Sequence, residues 1–213
     1  MLKPFKALVE ASKDAIGYAA VDGAILHVNR AFSELTGFSR EELLRMNARD
    51  LIPEQYKERR DRAVAQVLQA GEPVEYEIDY LRKNGSQVPV SITVFALKGG
   101  DGKPTGLAAI VRNLSERKRA EEQFRLVVES SPNGMLMVDK SGLILLVNRQ
   151  IEQLFGYERV ELIGRPVEML VPQRVRPNHA GDRDEFFAHS EHRAMGKGRD
   201  LTGLRKDGIE FPV

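Results

Sequence analysis

The sequence predicts an α+β chain in which one fold is built twice. Three observations carry that prediction: an internal repeat, a period-two apolar run, and an order of two strands, helices and then three strands within the first copy. The repeat is explicit. Phe5, Val9, Glu10 and Ser12 return as Phe124, Val128, Glu129 and Ser131, and Gly23, Ile25, Leu26, Val28, Asn29 and Arg30 return as Gly142, Ile144, Leu145, Val147, Asn148 and Arg149. At the same spacing Leu35, Gly37, Leu43, Leu51 and Pro53 match Leu154, Gly156, Leu162, Leu170 and Pro172. After a short insertion, Lys83-Asn84-Gly85 matches Lys206-Asp207-Gly208, and Val88-Pro89-Val90 matches Phe211-Pro212-Val213. The spacing is far longer than a solenoid unit, so each copy reads as a domain.

Each copy opens on an amphipathic helix, with Phe5, Leu8, Val9, Ser12 and Phe124, Val127, Val128, Ser131 at i, i+3, i+4, i+7. An extended segment, a Gly turn (Asp22-Gly23, Ser141-Gly142) and a second extended segment form a hairpin signal. Asn29 and Asn148 follow as helix caps, because an Asn side chain satisfies an orphan N–H of the first turn. The short helices they start end at Gly37 and Gly156. A longer helix is expected over 56–69. Val74, Tyr76, Ile78 and Tyr80 then alternate with Glu75, Glu77 and Asp79, the pattern of a half-buried strand. Residues 86–97 and 106–112 supply two more strands, with turns at Asn84-Gly85 and in the Gly99–Gly102 stretch.

Composition narrows the function. The 213 residues carry 32 Lys+Arg against 31 Asp+Glu, a net charge of +1, with 30% charged and 42% hydrophobic residues. This is globular composition, and the interleaved charges argue against a nucleic-acid binder. With no Cys, disulfides, zinc ribbons, iron–sulfur clusters, catalytic thiols and cysteinyl-flavin photochemistry are excluded. The longest strongly apolar stretch, Leu143 to Val147, is far short of a membrane span, and no secretory segment follows the N-terminal Lys residues. A cytoplasmic location is expected. No P-loop, G-x-S-x-G, kinase or cyclase motif is present, and paired acids such as Asp182 and Glu185 are not placed about a substrate, so no catalysis is expected within this stretch.

The segments VNRAFSELTGFSREELL at 28–44 and LVNRQIEQLFGYERVELIG at 146–164, with the RKNG and RKDG turns at 82–85 and 205–208, resemble tandem PAS domains over nearly the whole chain. The resemblance implies an α+β fold: in each copy a five-stranded antiparallel sheet whose concave face, with the helices, encloses a ligand pocket or a packed core. It also implies a last strand that pairs between the first and fourth. The division is then an amphipathic helix at 1–12, PAS 1 at 13–112, a connecting helix at 113–131 and PAS 2 at 132–213. Ser115 is the expected cap of the connecting helix, and Asn113 stands where the family usually has Asp. The second copy stops at the counterpart of Val90, so it is expected to lack its final strand, as a fragment of a longer chain or with another copy supplying it.

Residues 174–213 resemble the oxygen-sensing haem PAS domains. That resemblance implies His179 as axial iron ligand and Arg199 as the distal residue facing a bound gas, with Met195, Leu201, Phe186 and Leu170 around the cofactor. The chemistry is sound: neutral imidazole is a good axial ligand and a guanidinium stabilises a partly negative ligand. The same residues equally fit a PAS domain without haem, in which His179 only hydrogen-bonds and Arg199 pairs with an acid. The first copy has Arg60 at the position of His179 and Tyr76 at that of Arg199, so haem is not expected there. A flavin in PAS 1 is open by family analogy, although no residue demands one. Tyr76, Ile78, Tyr80, Val90, Ile92 and Val94 line a cavity or fill a core. His189 and His192, at i, i+3, lack a third ligand and read as surface residues, and His27 reads as structural.

On the connecting helix, Arg117/Glu121 and Lys118/Glu122 suggest weak i, i+4 ion pairs, and the stripe Ala120, Phe124, Val127, Val128 suits either core packing or a homodimer. The expected function is sensory: ligand state in a PAS pocket is relayed through the helix to a downstream effector such as a histidine kinase or diguanylate cyclase. The alternative is a cofactor-free dimerisation and protein-interaction module.

Overall fold

The computed structural model of the protein describes residues 2–100, 102–177 and 201–213, and the chain divides into two compact units, residues 1–120 and 121–213. In the first unit, α1 (Leu2–Ala11) leads to the hairpin β1 (Ala15–Ala19) and β2 (Ile25–Val28). The helices α2 (Arg30–Thr36), α3 (Arg40–Leu43) and α4 (Glu54–Ala70) follow, with a 3-10 turn at Ala48–Leu51. The strands β3 (Val74–Leu81), β4 (Gln87–Lys98) and β5 (Pro104–Asn113) complete it. The five strands form one antiparallel sheet in the order β2-β1-β5-β4-β3. The last strand therefore lies between the first and the fourth, as the resemblance implies.

Local chemistry sets these boundaries. The Asn29 side chain accepts from Phe32 N at the start of α2, and Gly37 stops the helix at φ 76°, a left-handed conformation that costs glycine little. Ser39 and Glu42 form a reciprocal capping box on α3. Along β3 the alternation is realised: Tyr76, Ile78 and Tyr80 are buried and face β4 in the register Tyr76↔Ile92, Ile78↔Val90, Tyr80↔Val88. From α4, Ala63 and Val67, four residues apart on one face, bury against this core. Val28, Leu43, Leu51, Val67 and Val90 are wholly inaccessible, and burial of such a side chain contributes about 1.5–3 kcal/mol.

The helix α5 runs from Ser115 to Ser130. The side-chain bond at its start comes from Asn113, whose Oδ1 accepts from Ser115 N at 2.8 Å, so the capping role expected of Ser115 is taken by the residue two positions before it. Glu122 pairs with Arg125 rather than with Lys118, and Arg117 reaches Glu77 on β3 at 2.8 Å.

In the second unit, β6 (Leu136–Val138) and β7 (Ile144–Val147) form a hairpin, followed by α6 (Arg149–Phe155), α7 (Arg159–Leu162) and a 3-10 turn at Val167–Leu170. A second hairpin pairs β8 (Thr202–Leu204) with β9 (Glu210–Pro212). Ile144, Val147, Ile151, Phe155, Leu162 and Leu170 form its core, with Phe211 edge-on to Phe155 at 5.1 Å between ring centroids. Among the described residues no strand occupies the place that β5 holds in the first unit, and the two hairpins remain separate sheets.

Candidate functional site

The concave face of the first unit's sheet and the helices packed on it enclose a cavity of about 60 Å³. Its walls are mainly apolar: Phe32 from α2, Ile92 and Val94 from β4, and Leu107 from β5. Gly17 on β1 leaves room for the aromatic wall, since a Cβ there would stand 3.0 Å from the Phe32 ring. Arg60 from α4, Tyr76 and Tyr80 from β3 and Tyr18 from β1 complete it.

Burial pushes the Tyr76 hydroxyl up to about 12, against an opposing pull from the Arg60 charge, and burial also raises Tyr80. Both phenols therefore keep their protons at neutral pH and are available as donors. Neither hydroxyl has a hydrogen-bond partner among the described residues. The Arg60 side chain is only 12% exposed and donates from Nη1 to Asp61 Oδ1 at 2.9 Å. Asp61 also takes the Arg49 guanidinium, so two cations share one carboxylate at the cavity's edge.

The opposite face of β3 carries its acids. Glu75 accepts from Ser91 at 2.6 Å, Glu77 from Arg117 at 2.8 Å and Asp79 from the Tyr56 hydroxyl at 2.9 Å. One strand thus lines the cavity with alternate residues and holds the first turn of α5 with the residue between them.

A second arrangement, present in both units, fastens the entering helix. Asn29 is 1% exposed. Its Oδ1 accepts from Ile16 N at 2.9 Å and Phe32 N at 3.0 Å, and its Nδ2 donates to Val9 O and Asp14 O, each at 3.0 Å. Asn148 repeats this with Met135 N, Ile151 N, Val128 O and Asn133 O. Glu10 accepts from Arg30 N and from the Arg40 guanidinium, and Glu129 does the same with Arg149 N and Arg159. The asparagines were expected as caps; they also tie the end of the preceding helix to the sheet. His27, in β2, lies with Nδ1 3.0 Å from Arg40 Nη2 and Nε2 3.9 Å from Glu10. Desolvation, and then the Arg40 charge, hold its pKa below the ordinary value.

Of the cavity residues expected from sequence, Tyr76, Tyr80, Ile92 and Val94 line it, whereas Ile78 and Val90 pack in the core without reaching it. Of the residues expected around a haem, Leu170 is buried in the second core, and Leu201 is half-buried with its carbonyl accepting from Val213 N. His179, Arg199, Met195 and Phe186 lie outside the described residues, as do His189, His192, Asp182 and Glu185. Among the described residues no group of His, Asp or Glu is placed to hold a metal ion, and no helix is long and apolar enough to cross a membrane. The first-copy counterparts of His179 and Arg199, namely Arg60 and Tyr76, share the cavity. At about 60 Å³ that cavity is well below the roughly 300–1,000 Å³ of ordinary ligand sites, and it does not fit a flavin or a haem. Arg60 was not singled out as a wall residue. Its signal was present, since Tyr56, Arg60, Ala63 and Val67 fall at i, i+4, i+7, i+11 on one helix face.

Comparison with known proteins adds family and fold. A family profile described as PAS domain matches residues 13–116, and one described as PAS fold matches residues 122–207. The sensor protein FixL of Bradyrhizobium diazoefficiens is 30% identical over 119 residues, which is 53% of this chain and 24% of that protein. The oxygen sensor protein DosP of Escherichia coli is 30% identical over 96 residues, 43% of this chain and 12% of that protein. The chain thus spans a quarter or less of the length of these curated relatives. Among solved structures, a PAS domain from Colwellia psychrerythraea superposes with a TM-score of 0.52 at 22% identity, covering 55% of this chain and 98% of that one.

Proposed function

The chain belongs to the PAS family, which it contains twice in tandem, and from that premise we propose that it is the sensory part of a longer signalling protein. The first unit takes a small molecule in its cavity, and the state of that site is relayed through α5 to a downstream effector of the histidine kinase or diguanylate cyclase type. The observation that carries this reading is the apolar cavity furnished with Arg60 and two unpartnered tyrosyl hydroxyls. A filled structural core has little use for the two hydroxyls, because a buried donor without a partner costs desolvation with no bond in return. In this reading the 213 residues carry out no catalysis themselves.

The repeat extends the reading to the second unit. Arg60 and Tyr76 share one cavity, and the residues at the matching positions, His179 and Arg199, are the donor set a haem would use. His179 would hold the iron and Arg199 would face its open side. Haem, when bound, supplies an iron centre with a vacant coordination position. Similarity to an oxygen sensor supports this assignment. Expression with haem precursor tests it: a Soret band that disappears in His179→Ala is expected, and a colourless wild-type protein refutes it.

The exposed apolar residues of α5, Phe124 and Val127 (66% exposed), favour a homodimer formed through this helix. If the protein proves to be a dimer with no small-molecule occupant, the interaction-module reading replaces the sensory one.

A further inference from the structure

The chemistry of the cavity specifies its occupant more narrowly than size alone. Of its polar side chains, Tyr76 and Tyr80 are 8% and 5% exposed, and neither hydroxyl has a partner among the described residues. Arg60 adds a guanidinium whose counter-ion Asp61 is shared with Arg49, which leaves one positive charge uncompensated beside the cavity. All three can donate to an acceptor in the cavity, Arg60 with the N–H groups that Asp61 does not take, and apart from Tyr18 the remaining lining residues are apolar. A neutral apolar guest would leave the donors unsatisfied. An inorganic polyanion would leave the hydrocarbon wall unused and would require more compensating charge than one guanidinium offers.

We infer that this cavity binds a short-chain organic carboxylate, its head held by Arg60 and the hydroxyls of Tyr76 and Tyr80 and its tail packed against Phe32, Ile92 and Val94. The inference rests on the reading of the first unit as a ligand site and names the ligand class for it. Asp61 competes with the ligand for Arg60, so it sets the affinity without touching the ligand. Chain length is limited by the cavity of about 60 Å³, which favours acids of a few carbons over longer ones.

The experiment is calorimetric titration of the 213-residue protein at neutral pH with propionate and butyrate. Propionamide and 1-propanol serve as uncharged analogues, and hexanoate as an oversized acid. The expected result is that propionate binds about tenfold or more tightly than propionamide, with hexanoate weaker than butyrate. Arg60→Gln is expected to abolish the preference for acid over amide and Arg60→Lys to retain part of it. Asp61→Asn is expected to strengthen acid binding, an effect opposite in sign to damage of the fold. Equal binding of amide and acid, or a preference that survives Arg60→Gln, overturns the carboxylate assignment while the ligand-site reading stands. Failure of every probe, charged and neutral, overturns both.

Discussion

At the scale of single residues, Asn29 and Asn148 organise more structure than their size suggests. Each is buried and uses its amide completely, two bonds accepted and two donated. Asn29→Ala removes four hydrogen bonds, although Phe32 N, Val9 O and Asp14 O each keep a second partner, and is expected to destabilise the first unit by about 1–3 kcal/mol. Urea unfolding followed by circular dichroism measures this, and hydrogen exchange of the α1 amides should rise in parallel. Sequence showed the cap and not the tie to the helix before it. Capping is local, whereas Val9 lies twenty residues away. A second prediction concerns His27. Its folded pKa lies below the ordinary 6.5, so the unfolded chain binds the proton more readily. Stability is full above that ordinary value and declines as pH falls through it toward the folded pKa. The His27→Leu variant, which copies Leu146 of the second unit, should flatten this slope in melts across the acid range.

At the scale of elements, what could be read depended on whether the determining pattern is periodic. The β3 alternation fixed both the strand and its buried face, and the Asn and Gly signals fixed both ends of α2. The short α3 was missed although Ser39 and Glu42 stand at capping-box spacing, because a four-residue helix has no room for a hydrophobic period. Arg60 was missed for a different reason. In the run Glu58-Arg59-Arg60-Asp61-Arg62 it looks like part of a solvated face, and only the helical period it shares with Tyr56, Ala63 and Val67 sets it apart from its neighbours. On α5, the exposure of Val127 gives a test of the proposed dimer. Val127→Glu should raise the dimer dissociation constant by roughly tenfold or more in sedimentation, with little change in monomer stability, since an exposed site costs the fold almost nothing.

At the scale of the whole molecule, the two copies share their entry latch, hairpin and short helices but differ in how much sheet is closed. The first has a continuous five-stranded sheet, while among the described residues the second has two separate hairpins. Local opening should follow that difference: amides paired within β3, β4 and β5 are expected to exchange roughly tenfold or more slowly than those of β6–β9, as measured by hydrogen exchange with mass spectrometry. The duplication was evident from sequence because identical residues recur at fixed spacing. The cavity was not, because alternating apolar side chains are compatible with both a void and a filled interior. One feature of β3 also bounds the size of any response. The Glu77–Arg117 pair, 45% and 54% exposed, contributes at most about 1 kcal/mol. A stimulus transmitted by that pair alone therefore changes the output ratio by no more than roughly fivefold. A larger response draws on further contacts at the start of α5, among them the bond from Leu114 N to Pro89 O that joins the strand-to-helix junction to β4.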